Sequence, residues 1–139
     1  MTIYTIGFTK KSLREFIETL RAAGVRCVVD VRLRNTSQLA GWSKQPDFEF
    51  LLTEGFGIAY EHHPEFAPTT ELLDEYKRAG DWPRYEMRFN QLLAACQPPP
   101  LTQDSLCLLC TEPTPEHCHR RLVAEYLRAL DPRVEVKHL

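Results

Sequence analysis

Cysteine, glutamate, histidine and arginine gather in one short stretch of this sequence. Cys110-Thr111-Glu112 is followed by Cys118-His119-Arg120. A deprotonated thiol attacks electrophiles or binds soft metals. A carboxylate and an imidazole move protons. A guanidinium grips phosphate or carboxylate through its planar fork. This mixture points to an enzyme acting on a phosphate-bearing substrate, a nucleotide or nucleic acid. Cys110 is then the nucleophile or a metal ligand, Glu112 and His119 are the proton carriers, and Arg120 is an anion contact.

A second chemistry competes for the same residues. Cys110, Cys118 and His119 offer two thiolates and an imidazole, the donors that zinc and other transition metals prefer. Their spacing matches no paired-knuckle zinc pattern. Cys107-Leu108-Leu109-Cys110 has C-x-x-C spacing, but it reads as a strand. Strand residues three apart face opposite ways and lie about 10 Å apart, so no disulfide joins them. Cys107 is therefore expected in the core. Six positions after Cys110 stands Glu116, not the arginine that would close a cysteine-phosphatase or sulfurtransferase anion loop. A carboxylate next to Cys110 also opposes a thiolate there, whereas a nearby helix N-terminus favours one.

Other strand ends carry polar residues. Asp30 and Arg32 alternate, so they share a face. An ion pair between them is the plain reading. The sharper one makes Asp30 a catalytic carboxylate, or the group that orients Arg32 or Arg120 toward an anion. Gly7, Arg32, Arg120 and Lys44 are the expected substrate contacts, with Arg34 and Arg121 on the same basic edge. Trp42 beside Lys44 is either packed or a base-stacking platform. His62-His63 ends another strand.

The elements that must position these groups follow from apolar spacing. Ile3 to Gly7 reads as a strand. Ser12 and Glu15 form a capping-box pattern ahead of Leu13, Phe16, Ile17 and Leu20. Val25 to Val31 is a buried strand, and the β-α-β unit this completes predicts a parallel sheet. Asp47 is placed as the cap of a short helix ending near Gly55. Ile58 to His62 is a strand. Thr69 or Thr70, and then Asp81-Trp82-Pro83, start two helices. After the Pro98-Pro99-Pro100 break, Leu106 to Cys110 is the most apolar strand. Thr114-Pro115-Glu116 carries the signals of a helix start, and Val134 to Val136 suits a last strand. The order is that of a three-layer, Rossmann-like α/β fold, a mainly parallel sheet of about five strands flanked by helices. In such sheets ligands sit beyond the carboxyl ends of the strands.

The bulk properties fit. A chain of 139 residues, 43% apolar and 26% charged, suits one α/β domain over residues 1–139. Net charge of −2 excludes a whole-surface positive coat for nucleic acid. No apolar run reaches membrane-spanning length, so no membrane partner is expected. Five cysteines without an export signal predict free thiols in a cytoplasmic setting.

Tyr4-Thr5-Ile6-Gly7, Asp30-Val31-Arg32, and Leu108 to Glu112 with Cys118-His119-Arg120 resemble the domain of unknown function 488 family along essentially the whole chain. That resemblance implies an α/β fold. It maps the family motif onto Asp30, Arg32, Cys110, Glu112, Cys118, His119 and Arg120. Phe8-Thr9 departs from the Gly-His-Ser of many members, so no histidine role carries over there. The resemblance implies no particular reaction. A non-catalytic module, binding nucleic acid or a partner through the Arg32 to Lys44 loop, is the alternative to an enzyme.

Overall fold

The structure is a computed structural model that describes residues 1–36 and 41–139. Its elements run β1 (Thr2–Gly7), α1 (Leu13–Ala22), β2 (Cys27–Asp30), α2 (Asp47–Phe50), β3 (Ala59–His62), α3 (Thr70–Ala79), α4 (Trp82–Cys96), β4 (Leu106–Cys110), α5 (His119–Leu130) and β5 (Glu135–His138). A π-helical turn, Leu51–Gly55, extends α2. The five strands form one sheet in the order β3-β2-β4-β1-β5. Every pairing is parallel. This is the three-layer α/β architecture expected from the apolar spacing.

Strand order decides where the site lies. The chain passes from β1 to β2 and leaves a gap that β4 later fills. The most apolar strand, Leu-Cys-Leu-Leu-Cys, thus lies in the centre with all five residues buried. A strand with helices on both faces needs apolar residues on both. Leu106 and Leu108 pack toward α3, α4 and α5 with Leu72, Phe89, Leu93 and Leu122. Cys107 and Leu109 face the other layer, with Phe16 and Leu20 of α1 and Phe48 of α2. Cys107 is fully buried and Cys110 lies in the opposite layer, as strand alternation requires. All five cysteines are free thiols. Edge strand β5 is short and largely exposed.

Local signals explain most helix ends. The Ser12 hydroxyl accepts from the Glu15 amide, Thr69 from Leu72 and the Asp81 carboxylate from Arg84. Gly80 adopts a left-handed φ of 68° and stops α3, so α4 restarts two residues on. Two expectations need correction. Pro46 rather than Asp47 is the cap residue of α2, because the Phe48 amide reaches the Lys44 carbonyl and draws Asp47 inside the helix. Helix α5 starts at His119, well after Thr114-Pro115-Glu116. There the Thr114 hydroxyl bonds the Glu116 carboxylate. The Cys118 amide closes a turn on the Pro115 carbonyl at 3.2 Å. Cys118 itself is extended (φ −136°, ψ 136°), which breaks any continuous helix. Among the described residues no helix is long and apolar enough to cross a membrane.

Gly7 pairs with Cys110 across β1 and β4. A Cβ at Gly7 would overlap the Glu112 carbonyl oxygen and press on the Arg120 guanidinium at 3.0 Å. Only glycine lets the loop after β4 fold back over β1 this closely. Gly7→Ala should therefore lower stability by about 1–3 kcal/mol or more, as overpacking does. Urea unfolding followed by far-UV circular dichroism checks this; an unchanged midpoint would show that the loop does not lie on Gly7.

Candidate functional site

Beyond the carboxyl ends of β1, β2 and β4 lies a cavity of about 320 Å³. That is the lower end of the range for small-molecule sites. Phe8 follows β1 and forms one wall. Arg32 to Arg34 follow β2, and Cys110, Thr111 and Glu112 end β4. Leu73, Tyr76 and Lys77 come from α3, Trp82 and Tyr85 from α4, and His117, Cys118 and His119 from the entry to α5.

Cys110, Cys118 and His119 form the floor. They are 5%, 3% and 7% exposed. Their sulfur and nitrogen donor atoms all lie within 4.8 Å of one another. The short loop closed at Pro115 makes this possible, since it returns the chain to the end of β4 only eight residues after Cys110. His119 Nε2 lies 2.6 Å from the Val31 carbonyl oxygen. A carbonyl only accepts, so Nε2 carries a proton and donates it. Nδ1 is then unprotonated, and Cys110 Sγ lies beside the ring, 3.4 Å from Nδ1 and 3.9 Å from Nε2. Phe89 meets the imidazole edge-on, with centroids 5.5 Å apart. Cys118 uses its thiol on Cys110 rather than as a helix cap.

That thiol contact splits the two cysteines. A hydrogen bond from Cys118 holds the Cys110 thiol below the ordinary range, against the effect of burial. The Thr111 amide and the Arg120 charge act in the same direction. The same bond, together with burial, pushes Cys118 well up. The opposition expected from Glu112 does not decide the outcome. Its residue is exposed at the mouth, and its backbone carbonyl, not its carboxylate, is what the fold engages.

Arg120 is not at the anion-binding rim. It is fully buried and does not line the cavity. Its Nη1 donates to the Glu112 carbonyl at 2.6 Å and its Nε to Thr5 Oγ1 at 3.3 Å, while Nη2 is buried without a partner among the described residues. Neither acceptor is a carboxylate. Arg120 thus clamps the loop and leaves a buried positive charge beside Cys110. Gly7 does not line the cavity either; its role is the close packing under that loop.

Asp30 is also fully buried. Its carboxylate accepts from the Arg32 amide, from Arg32 Nε and Nη2 at 2.9 Å each, and from the Tyr60 hydroxyl at 2.6 Å. With both oxygens engaged, it orients Arg32 and does not reach the cavity. Arg32 Nη2 also donates to the Ser43 carbonyl, and the guanidinium lies over Phe8 and Phe48. The His62 ring meets the Arg32 carbonyl at 2.9 Å. His63 sits between Glu61 and Glu65, outside the cavity. Arg121 pairs with Glu86 and Glu125.

Lys44 stands apart from the cavity lining. Trp42 packs among Phe8, Phe16 and Phe48, so its ring belongs to the core layer of α1 and α2. Part of the Arg32 to Lys44 loop, residues 37–40, lies outside the described residues. The cations that do reach the cavity are Arg32, Arg34 and Lys77. Sequence reasoning missed Lys77, Tyr76 and Tyr85 as lining groups, while Trp82, read as core or as a stacking ring, does line the cavity. Leu73, Tyr76 and Lys77 show i, i+3, i+4 spacing, the signal of one shared helix face. His117 stacks on Trp82, with ring centroids 5.1 Å apart and planes 22° apart.

Removing one partner of a buried ion pair strands the other charge. Asp30→Ala should therefore cost about 3–5 kcal/mol. Chemical denaturation measures it. A loss under about 1 kcal/mol would mean that Arg32 finds solvent, and the pair would not be the anchor of this wall.

No curated protein and no solved structure matches the chain. A family described as "Domain of unknown function DUF488" does match, over residues 12–127. That span takes in Asp30, Arg32 and the whole Cys110 to Arg120 segment that builds the cavity floor and its clamp. The chain belongs to this family of domains of unknown function.

Proposed function

We propose that the protein is an enzyme that acts on a small phosphate-bearing substrate, a nucleotide, in this cavity. One observation carries the reading. A single cavity joins a Cys-Cys-His floor, an aromatic wall and three cations. Arg34 is exposed and held by Asp74 at 3.1 Å; Lys77 is exposed on α3. Lys77 can reach a phosphate directly and Arg34 by exchanging its exposed Asp74 partner, whereas Arg32 is tied to Asp30 and supplies field more than contact. Tyr76, half-buried, with the cavity-lining parts of the buried Trp82 and Tyr85, gives a planar base an aromatic wall to pack on. At the opposite end Cys110, Cys118 and His119 supply the reactive donors. Glu112 supplies an exposed carboxylate for proton transfer.

Isothermal titration with adenosine, guanosine, cytidine and uridine monophosphates tests the binding half. Each charge-assisted contact is worth about 1.5–3 kcal/mol. Arg34→Ala and Lys77→Ala should thus each weaken binding by about tenfold or more. Ribose 5-phosphate should bind more weakly than the nucleotides, because it leaves the aromatic wall uncovered. Turnover of the bound nucleotide, followed by mass spectrometry, should vanish in Cys110→Ala and in Glu112→Gln. No binding by any monophosphate, or binding indifferent to both cations, would overturn the proposal. Full turnover in both variants would overturn the roles given to those residues.

A further inference from the structure

We infer that the cavity floor is a mononuclear zinc site, with Cys110, Cys118 and His119 as three protein ligands and the fourth position open to the cavity. The inference deepens the proposed function and rests on its reading of the cavity as an active site.

Four features converge on it. First, a nucleophilic cysteine needs a base and an orienting group, which His119 and the Val31 carbonyl already provide. Cys118 is neither base nor orienting group in that scheme, yet it is 3% exposed and its sulfur lies within 4.8 Å of the other two donor atoms. A Cys₂His metal site uses all three. Second, the spacing fits. With metal–sulfur and metal–nitrogen bonds of about 2.3 and 2.0 Å, a tetrahedral sulfur–nitrogen edge is roughly 3.5 Å. Cys110 Sγ and His119 Nδ1 are 3.4 Å apart. Third, the imidazole has the outer hydrogen bond that metal-bound histidines use. Nε2–H donates to a backbone carbonyl, which fixes the tautomer and leaves Nδ1 as the unprotonated ring nitrogen, 3.4 Å from Cys110 Sγ. Fourth, the charge balances. Two thiolates cancel a divalent cation, so the buried unit is neutral and escapes the cost of an isolated buried ion. Soft sulfur donors favour zinc over magnesium or calcium.

Among the described residues no further His, Cys, Asp or Glu joins the group. Structural zinc sites close with four protein ligands, whereas three ligands and an open position belong to catalytic ones. All three donors also line the 320 Å³ cavity, so water or substrate can occupy that position. Binding sends the two thiol protons to solvent and leaves His119 neutral.

The test uses the full chain, stripped of metal under reducing conditions and titrated with cobalt(II), then zinc(II). One cobalt per chain is expected, with the intense ligand-field absorption of a tetrahedral ion and thiolate-to-cobalt charge-transfer bands. Zinc should displace it. Cys118→Ser and His119→Ala should each weaken metal binding by about tenfold or more. Cys96→Ser, which changes an exposed thiol outside the group, should leave it unchanged. In the unaltered chain, zinc should shield Cys110 and Cys118 from alkylation and leave Cys96 reactive. This arm does not depend on how the variants fold. Substoichiometric binding, absence of charge-transfer bands, or no shielding would overturn the inference. Arg34→Ala with Lys77→Ala separates the two claims. Loss of nucleotide with metal retained is the result expected of this double variant. Metal failure in the unaltered chain with nucleotide binding intact sinks the zinc site alone. Metal binding without any nucleotide binding sinks the substrate reading alone.

Discussion

The hydrogen bond from His119 Nε2 to the Val31 carbonyl ties together the parts that make the site. Val31 lies just past β2, His119 opens α5, and Cys110 ends β4 between them in the layer order. One 2.6 Å contact therefore joins the start of the last helix to the second strand, across the end of the central one. It also makes a chemical choice. By occupying the Nε2 proton it leaves Nδ1 as the unprotonated ring nitrogen, 3.4 Å from Cys110 Sγ. If the proton sat on Nδ1 instead, the Val31 carbonyl would face a bare nitrogen and this contact would be lost.

This contact needs α5 to begin in the right place, and a second constraint sees to that. The loop after β4 descends onto Gly7 and is gripped by Arg120, a buried guanidinium bound to the Glu112 carbonyl and Thr5. A charge without a carboxylate partner is costly to bury. It is kept where its field favours negative charge on Cys110. The Asp30–Arg32 pair serves the neighbouring wall in a different way. There the charges neutralise each other, and the gain is a fixed position for the chain leaving β2. Two arginines from one sequence motif thus act as a clamp and a brace, while Arg34 and Lys77 line the exposed rim.

Much of the fold was legible because apolar periodicity and caps are local signals. The run from Leu106 to Cys110 could only be a doubly covered strand, and Ser12, Thr69 and Asp81 cap the helices they precede. Strand alternation alone separated Cys107 from Cys110. Thr114-Pro115-Glu116 misled for a physical reason. The same residue types that open a helix also build a tight turn, and the extended backbone at Cys118 chose the turn. The fates of Arg120 and Asp30 were not legible, since burial of a charge depends on what distant segments cover it. Lys77, Tyr76 and Trp82 reach the cavity only because α3 and α4 fold over the strand ends. That is a tertiary fact with a faint helical-face signature. Of the two readings open for Trp42, packing is the one seen, since three aromatic rings surround it, and Lys44 does not line the cavity.

Every chemical role assigned to the cavity floor depends on the orientation of one imidazole. Long-range ¹H–¹⁵N correlation spectra of the metal-free protein report that orientation directly, through the separate shifts of the two ring nitrogens of His119. The account predicts a single tautomer at neutral pH, with Nε2 protonated in a strong hydrogen bond and Nδ1 bare. A ring protonated on Nδ1 with Nε2 bare, or the averaged shifts of an imidazole exchanging freely in water, would contradict it.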